Sequence, residues 1–112
     1  MRSPITTHVL DTALGKPAAG VQLVLERVDG DVRELARGVT DADGRVGDLL
    51  TPGSLDPGTY RITFDTGAYF AATARPSFYP SVAVVFEIVD PAQHYHVPLL
   101  LSPFGYSTYR GS

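Results

Sequence analysis

The 112-residue chain contains no cysteine. That removes both a disulfide framework and a thiolate nucleophile, leaves the redox compartment open, and makes folding depend on packing alone. Basic residues are scarce: 9 Lys and Arg stand against 12 Asp and Glu, for a net charge of −3. Phosphate binding needs a concentrated basic face, so a nucleic-acid partner is not expected. Long apolar runs are missing as well. The longest, Val82 to Phe86 followed by Glu87-Ile88-Val89, falls far short of the roughly 20 residues of a membrane-spanning helix, so no membrane partner is expected. The first residues, Met1-Arg2-Ser3-Pro4-Ile5-Thr6-Thr7-His8, lack the apolar segment and small-residue cleavage site of a secretory signal, and the expected compartment is the cytoplasm. The chain also lacks a Gly-x-Ser-x-Gly elbow, a phosphate-cradling glycine loop, a dinucleotide fingerprint and any internal repeat.

What is present is a succession of about eight short β-rich runs punctuated by Gly, Pro and Asp, the pattern of a sandwich or barrel. Ile5 to Leu10 is the first, closed by Gly15-Lys16-Pro17. Val21 to Val28 follows, and Asp29-Gly30-Asp31 turns it back into Val32 to Val39 as a hairpin. A turn over Thr40-Asp41-Ala42-Asp43-Gly44 leads to a short extended piece at Arg45-Val46. Thr59 to Asp65 has the cleanest alternation, with Tyr60, Ile62 and Phe64 on one face. The alanine-rich segment 66–74 lacks that alternation and is the one helix expected, capped by Asp65 or Thr66 and ended before Pro76. Val82 to Val89 reads either as a strand buried on both faces or as an edge covered by another subunit. A last hairpin joins Val97–Leu101 to Tyr106–Tyr109 around Ser102-Pro103-Phe104-Gly105. At 112 residues and 12.0 kDa this is a single domain over residues 1–112, small enough that a site shared between subunits is plausible.

Two of the three histidines, His94 and His96, are two residues apart in the run before the last hairpin, so an undistorted strand places both imidazoles on one face. With His8 they could supply three zinc ligands and leave an open position. Histidine titrates near neutrality and suits a general base, whereas Arg45 is permanently cationic and suits an anion stabiliser. The plain alternatives are a satisfied structural histidine and a solvated turn arginine. Asp41-x-Asp43-Gly44 is only a fragment of a calcium loop and reads as a turn.

Taken in order, Thr6-Thr7-His8-Val9-Leu10-Asp11, Asp43-Gly44-Arg45, Phe78-Tyr79-Pro80, His94-Tyr95-His96-Val97-Pro98-Leu99-Leu100-Leu101-Ser102-Pro103 and Tyr109-Arg110-Gly111-Ser112 resemble the 5-hydroxyisourate hydrolases, the transthyretin-like enzymes of urate breakdown. Ser81 departs from the pattern, standing where an acidic residue is common. The resemblance covers essentially the whole chain. It implies an all-β fold, a transthyretin-like antiparallel sandwich with one short helix, assembled as a homotetramer of two dimers. It also implies an activity without cofactor or metal: water opens the cyclic amide of 5-hydroxyisourate to give 2-oxo-4-hydroxy-4-carboxy-5-ureidoimidazoline. His8, Arg45, His96 and Ser112 match the catalytic positions, and Tyr109, Arg110 and Gly111 are expected to bind substrate, with His94 secondary. In that reaction a base takes the proton of water while a cation faces the developing oxyanion. The Ser112 hydroxyl or terminal carboxylate would position the water, which attacks directly because a terminal serine is hard to hold as a nucleophile. The competing reading is a transthyretin-like carrier of a small ligand, or a β-sandwich interaction module with no chemistry. The two share a fold, and the Tyr-Arg-Gly-Ser segment separates them, since the carriers lack it.

Overall fold

A computed structural model describes residues 3–112. Met1 and Arg2, part of the segment behind the cytoplasmic expectation, lie outside the described residues. Among those described, nine strands and one helix follow one another as β1 (Ile5–Asp11), β2 (Lys16–Pro17), β3 (Gln22–Arg27), β4 (Arg33–Val39), β5 (Arg45–Val46), β6 (Gly58–Phe64), α1 (Thr66–Ala72), β7 (Val82–Ile88), β8 (Tyr95–Ser102) and β9 (Gly105–Thr108). They form two sheets. One runs β2-β1-β8-β9 with β5 also paired to β1, and the other runs β4-β3-β6-β7.

The eight runs read from sequence are all present. The ninth strand is β2, whose Lys16 and Pro17 pair with Asp11 and Leu10: the residues expected only to close the first run fold back and lengthen its ladder. One pairing departs from the antiparallel scheme. β1 and β8 run parallel from Ile5↔Tyr95 to Asp11↔Leu101. Because these strands are far apart in sequence, no turn residue between them could have signalled their direction.

Alternation decides what is buried. In β6, Tyr60, Ile62 and Phe64 point inward, meeting Leu23 and Leu25 of β3 and Ile5, Val9, Leu99 and Leu101 of the opposite sheet in one core cluster. Each such large side chain, fully buried, contributes about 1.5–3 kcal/mol. β7 settles the ambiguity of its apolar run: it is an edge strand, with Val82, Val84 and Ile88 buried and Val85 59% exposed.

Helix α1 begins where expected, with the Asp65 carboxylate accepting from the Ala68 N–H at 3.2 Å. It ends at Ala72, two residues short of the end of the 66–74 segment read as helical. There the Thr73 N–H turns back to the carbonyls of Tyr69 and Phe70 and Ala74 takes a positive φ of 57°. The helix is tied to the first sheet by a buried charge. Asp11 is 0% exposed, and its carboxylate accepts from the Tyr69 hydroxyl at 2.7 Å, the Arg75 guanidinium, and the Leu14 N–H. Burial by itself would raise the Asp11 carboxyl, but these donors outweigh it and hold the group below its ordinary value. The same burial and the Asp11 charge push the Tyr69 hydroxyl up to about 12.

Candidate active site

The site is built on the outer face of the β1–β8 pair. Ile5, Thr7, Val9 and Asp11 point into the sandwich, so Thr6 and His8 point out, about 7 Å apart along the strand. Directly paired residues share a face. Thr6 is paired with His96 on one side, and His8 is paired with Arg45 on the other. Sheet pairing therefore brings residues 6, 8, 45 and 96 onto one small surface.

Local chemistry explains why β5 lies there. The Asp41 carboxylate accepts from the backbone N–H of Asp43 at 2.9 Å and of Arg45 at 3.0 Å, which uses the supposed calcium ligand to close a turn. Gly44 follows with φ +76°, and a Cβ at that position would lie 2.4 Å from the Val9 carbonyl oxygen. Only glycine lets the loop approach β1 this closely. The approach is fastened by the Val9 N–H donating to the Gly44 carbonyl at 2.7 Å, and Arg45 is delivered opposite His8.

A recess of about 230 Å³ opens on this face, lined by Thr6, Thr7, Arg45, Val46, Gly47, His94, His96 and Ser112. Within it the Thr6 hydroxyl lies 3.0 Å from His94 Nε2 and 2.8 Å from His96 Nδ1. The two imidazoles are nearly parallel, at 17° with centroids 6.4 Å apart. The C-terminal segment reaches the recess across β8. Gly111 pairs with His96 through its N–H, 2.8 Å from the His96 carbonyl. A Cβ on Gly111 would fall 2.5 Å from His96 Cδ2, so glycine is what allows the contact and places Ser112 at the recess.

The expected residues thus divide into two groups. Arg45, His94, His96 and Ser112 line one recess, and His8 is half-buried beside it as the register partner of Arg45. Tyr109 and Arg110 line a second hollow, which shares His96 with the recess. Tyr109, 58% exposed, borders this apolar hollow of about 200 Å³ with Val84, Phe86 and Val97. The Arg110 guanidinium lies 4.4 Å over the Tyr95 ring and donates to Gln93 Oε1 at 2.8 Å. In this protomer Arg110 is a clasp on the strand that carries His96. Thr6 is the site residue that sequence reasoning passed over. Its signal was available, since it precedes His8 by two and must share its face. Among the described residues, no three His, Cys, Asp or Glu side chains gather to hold a metal ion. A larger groove of about 510 Å³ lies over the other sheet, lined by Gln22, Val24, Arg37, Val39 and Thr63 among others, with no imidazole.

With that geometry in place, comparison with known proteins is informative. The sequence matches the family described as HIUase/Transthyretin over residues 5–111. It is 52% identical to the 5-hydroxyisourate hydrolase of Mus musculus, across 98% of this chain and 96% of that protein. The solved 5-hydroxyisourate hydrolase of Klebsiella pneumoniae is similar at 42% identity with a TM-score of 0.84, covering 96% of this chain and 98% of that one. Sea bream transthyretin in complex with thyroxine superposes with a TM-score of 0.90 at 37% identity, covering 97% and 95%. Backbone shape alone does not choose between hydrolase and carrier.

Proposed function

We propose, from the premise that this chain belongs to the HIUase/transthyretin family, that it is an enzyme which hydrolyses 5-hydroxyisourate, opening the cyclic amide during urate breakdown. The observation that carries this reading is the recess itself, in which two imidazoles, a guanidinium and a hydroxyl-bearing residue converge on one sheet face. A ligand carrier has no use for a base beside a cation. Identities near 50% to curated hydrolases over nearly the full chain support the same choice.

Attack of water on an amide carbonyl needs a base for the leaving proton and positive potential at the developing oxyanion. An imidazole of the pair His8 and His96 takes the proton, and Arg45 presents its donor fork to the carbonyl oxygen. Ser112 positions the water, Gly111 holds it against His96, and no metal or other cofactor takes part. Tyr109 and Arg110 contact substrate through a neighbouring subunit, in an assembly of four chains with two-fold symmetry. Two features support assembly. The recess is smaller than the roughly 300–1,000 Å³ usual for ligand pockets and lies open on a sheet face. β7 is an apolar edge of the kind that is normally covered.

The test is decay of freshly generated 5-hydroxyisourate followed by ultraviolet absorbance. The wild-type chain is expected to accelerate it, and His8→Ala, Arg45→Ala and His96→Ala each to lower kcat by about 100-fold or more, in the range of a lost general base or oxyanion donor. Wild-type turnover in all three variants would overturn the assignment of these residues. No turnover by the intact protein would overturn the function.

A further inference from the structure

The Thr6 hydroxyl contacts two imidazole nitrogens at once, His94 Nε2 at 3.0 Å and His96 Nδ1 at 2.8 Å. A hydroxyl has one proton and two lone pairs, so a proton path between the rings requires that it donate to one and accept an N–H from the other. Two patterns satisfy this. In the first, His96 Nδ1–H donates to Thr6, and Thr6 donates to His94 Nε2, which leaves the neutral His96 with a lone pair on Nε2. In the second, both bonds are reversed, and the neutral His96 carries its proton on Nε2 and has no lone pair there for a proton of water. The bridge therefore ties the state of His96 to that of His94. Thr6 is 8% exposed on a central strand hydrogen-bonded to β8 through its whole length, so the geometry of the bridge is set by the sheet and not by a mobile loop.

We infer that Thr6 and His94 are positioning residues of the hydrolysis: Thr6 holds His96 in the Nδ1–H tautomer that makes its Nε2 the base, and relays a proton between the two imidazoles. This rests on the hydrolase reading above and extends it by choosing His96 over His8. The cycle balances. His96 Nε2 takes a proton from water as the oxygen bonds to the carbonyl carbon. The Nδ1 proton passes to Thr6 Oγ1, and the Thr6 proton passes to His94 Nε2. His96 is then neutral with a proton on Nε2, ready to protonate the departing ring nitrogen as the C–N bond breaks, and His94 holds the positive charge. As that proton leaves Nε2, the reverse relay returns one from His94 through Thr6 to Nδ1, so His96 stays neutral and the starting state is restored. The physical gain is separation of like charge: Arg45 pairs with His8, whose partner on β8 is Pro98, so His94 lies two residues farther along that strand from the guanidinium than His96 does.

The test combines kinetics with a readout that needs no turnover. Thr6→Val removes the hydroxyl at nearly constant shape, Thr6→Ser keeps it, and His94→Gln keeps a polar partner that cannot hold the proton. Thr6→Val and His94→Gln are expected to lower kcat about tenfold or more, part of the usual range for proton transfer, with KM changed by less than about threefold. Thr6→Ser should retain at least a third of wild-type kcat. The double variant should be no slower than the slower single one, as for residues acting as a unit. Nitrogen-15 NMR of the neutral rings should find His96 as the Nδ1–H tautomer in the wild type and lose that preference in Thr6→Val. A wild-type His96 that is already Nε2–H, or a folded Thr6→Val protein with the wild-type tautomer and rate, would overturn the relay while leaving the hydrolase reading intact. A wild-type protein without turnover would instead remove the reading, and the tautomer result would still decide the bridge.

Discussion

Gly111 shows how a residue without a side chain can matter to chemistry. Its contact with His96 leaves no room for a Cβ, which would sit 2.5 Å from the ring. Gly111→Ala should therefore displace either the His96 ring or Ser112 and lower kcat by about tenfold or more, since misplacement by even 1 Å is costly in a preorganised site. Thermal stability should barely change, because Gly111 belongs to an isolated bridge near the chain's end and not to the core. An alanine variant with normal kcat would show that the segment tolerates a shift. At this scale much of the site was legible. His8 and His96 were visible as titratable residues in strand-forming runs, whereas Arg45, which follows the Asp41–Gly44 turn, read as a solvated turn arginine until the family resemblance singled it out. The direction of Arg110 was not legible, because nothing in Tyr-Arg-Gly-Ser says that the guanidinium will stack on Tyr95, which is fifteen residues earlier in a neighbouring strand.

Among the elements, α1 is the best measure of what a short segment cannot specify alone. A seven-residue helix is far below the length that is stable in isolation, and its place is decided by the Asp11–Tyr69–Arg75 network. Asp11→Asn leaves Arg75 facing a neutral group in a buried setting and should destabilise the fold by about 3 kcal/mol. Tyr69→Phe removes one charge-assisted hydrogen bond and should cost about 1.5 kcal/mol. Denaturant titration measures both. The pH dependence follows from the direction of each shift. Asp11 is held below its ordinary value of 3.8 when folded, so its contribution is complete above that value and is lost as the pH falls through the folded one. Tyr69 is raised from 10.0 to about 12, so its contribution is complete below pH 10 and is lost as the pH climbs toward 12. Asp11→Asn should flatten the acid limb of a stability–pH curve. An unchanged limb would show that other carboxylates control acid unfolding.

For the whole molecule, the exposed apolar surface bears on assembly. The β7 edge with Val85 exposed, the aromatic chain of Phe78, Tyr79 and Tyr106 at centroid spacings near 5 Å, and an exposed Phe104 together leave much apolar surface uncovered on one protomer. Light scattering should give four times the chain mass of 12.0 kDa. Val85→Lys should shift the distribution to smaller species and lower activity with it, because two-fold edge pairing brings like charges together. A fully active monomer would refute a site shared between subunits.

The order of strands, the helix with a cap at Asp65 or Thr66, the inward face of β6 and the histidine face of the last long strand all follow from the sequence, because alternation, capping and turn chemistry are local and each residue reports on neighbours a few positions away. Tertiary structure decided the rest. It made β1 and β8 parallel, turned β7 into an edge, folded β2 back onto β1, and set one threonine hydroxyl between two imidazoles nearly ninety positions away. Those outcomes depend on which distant strands bury each other's apolar faces, a property of the whole core that no window of the sequence contains.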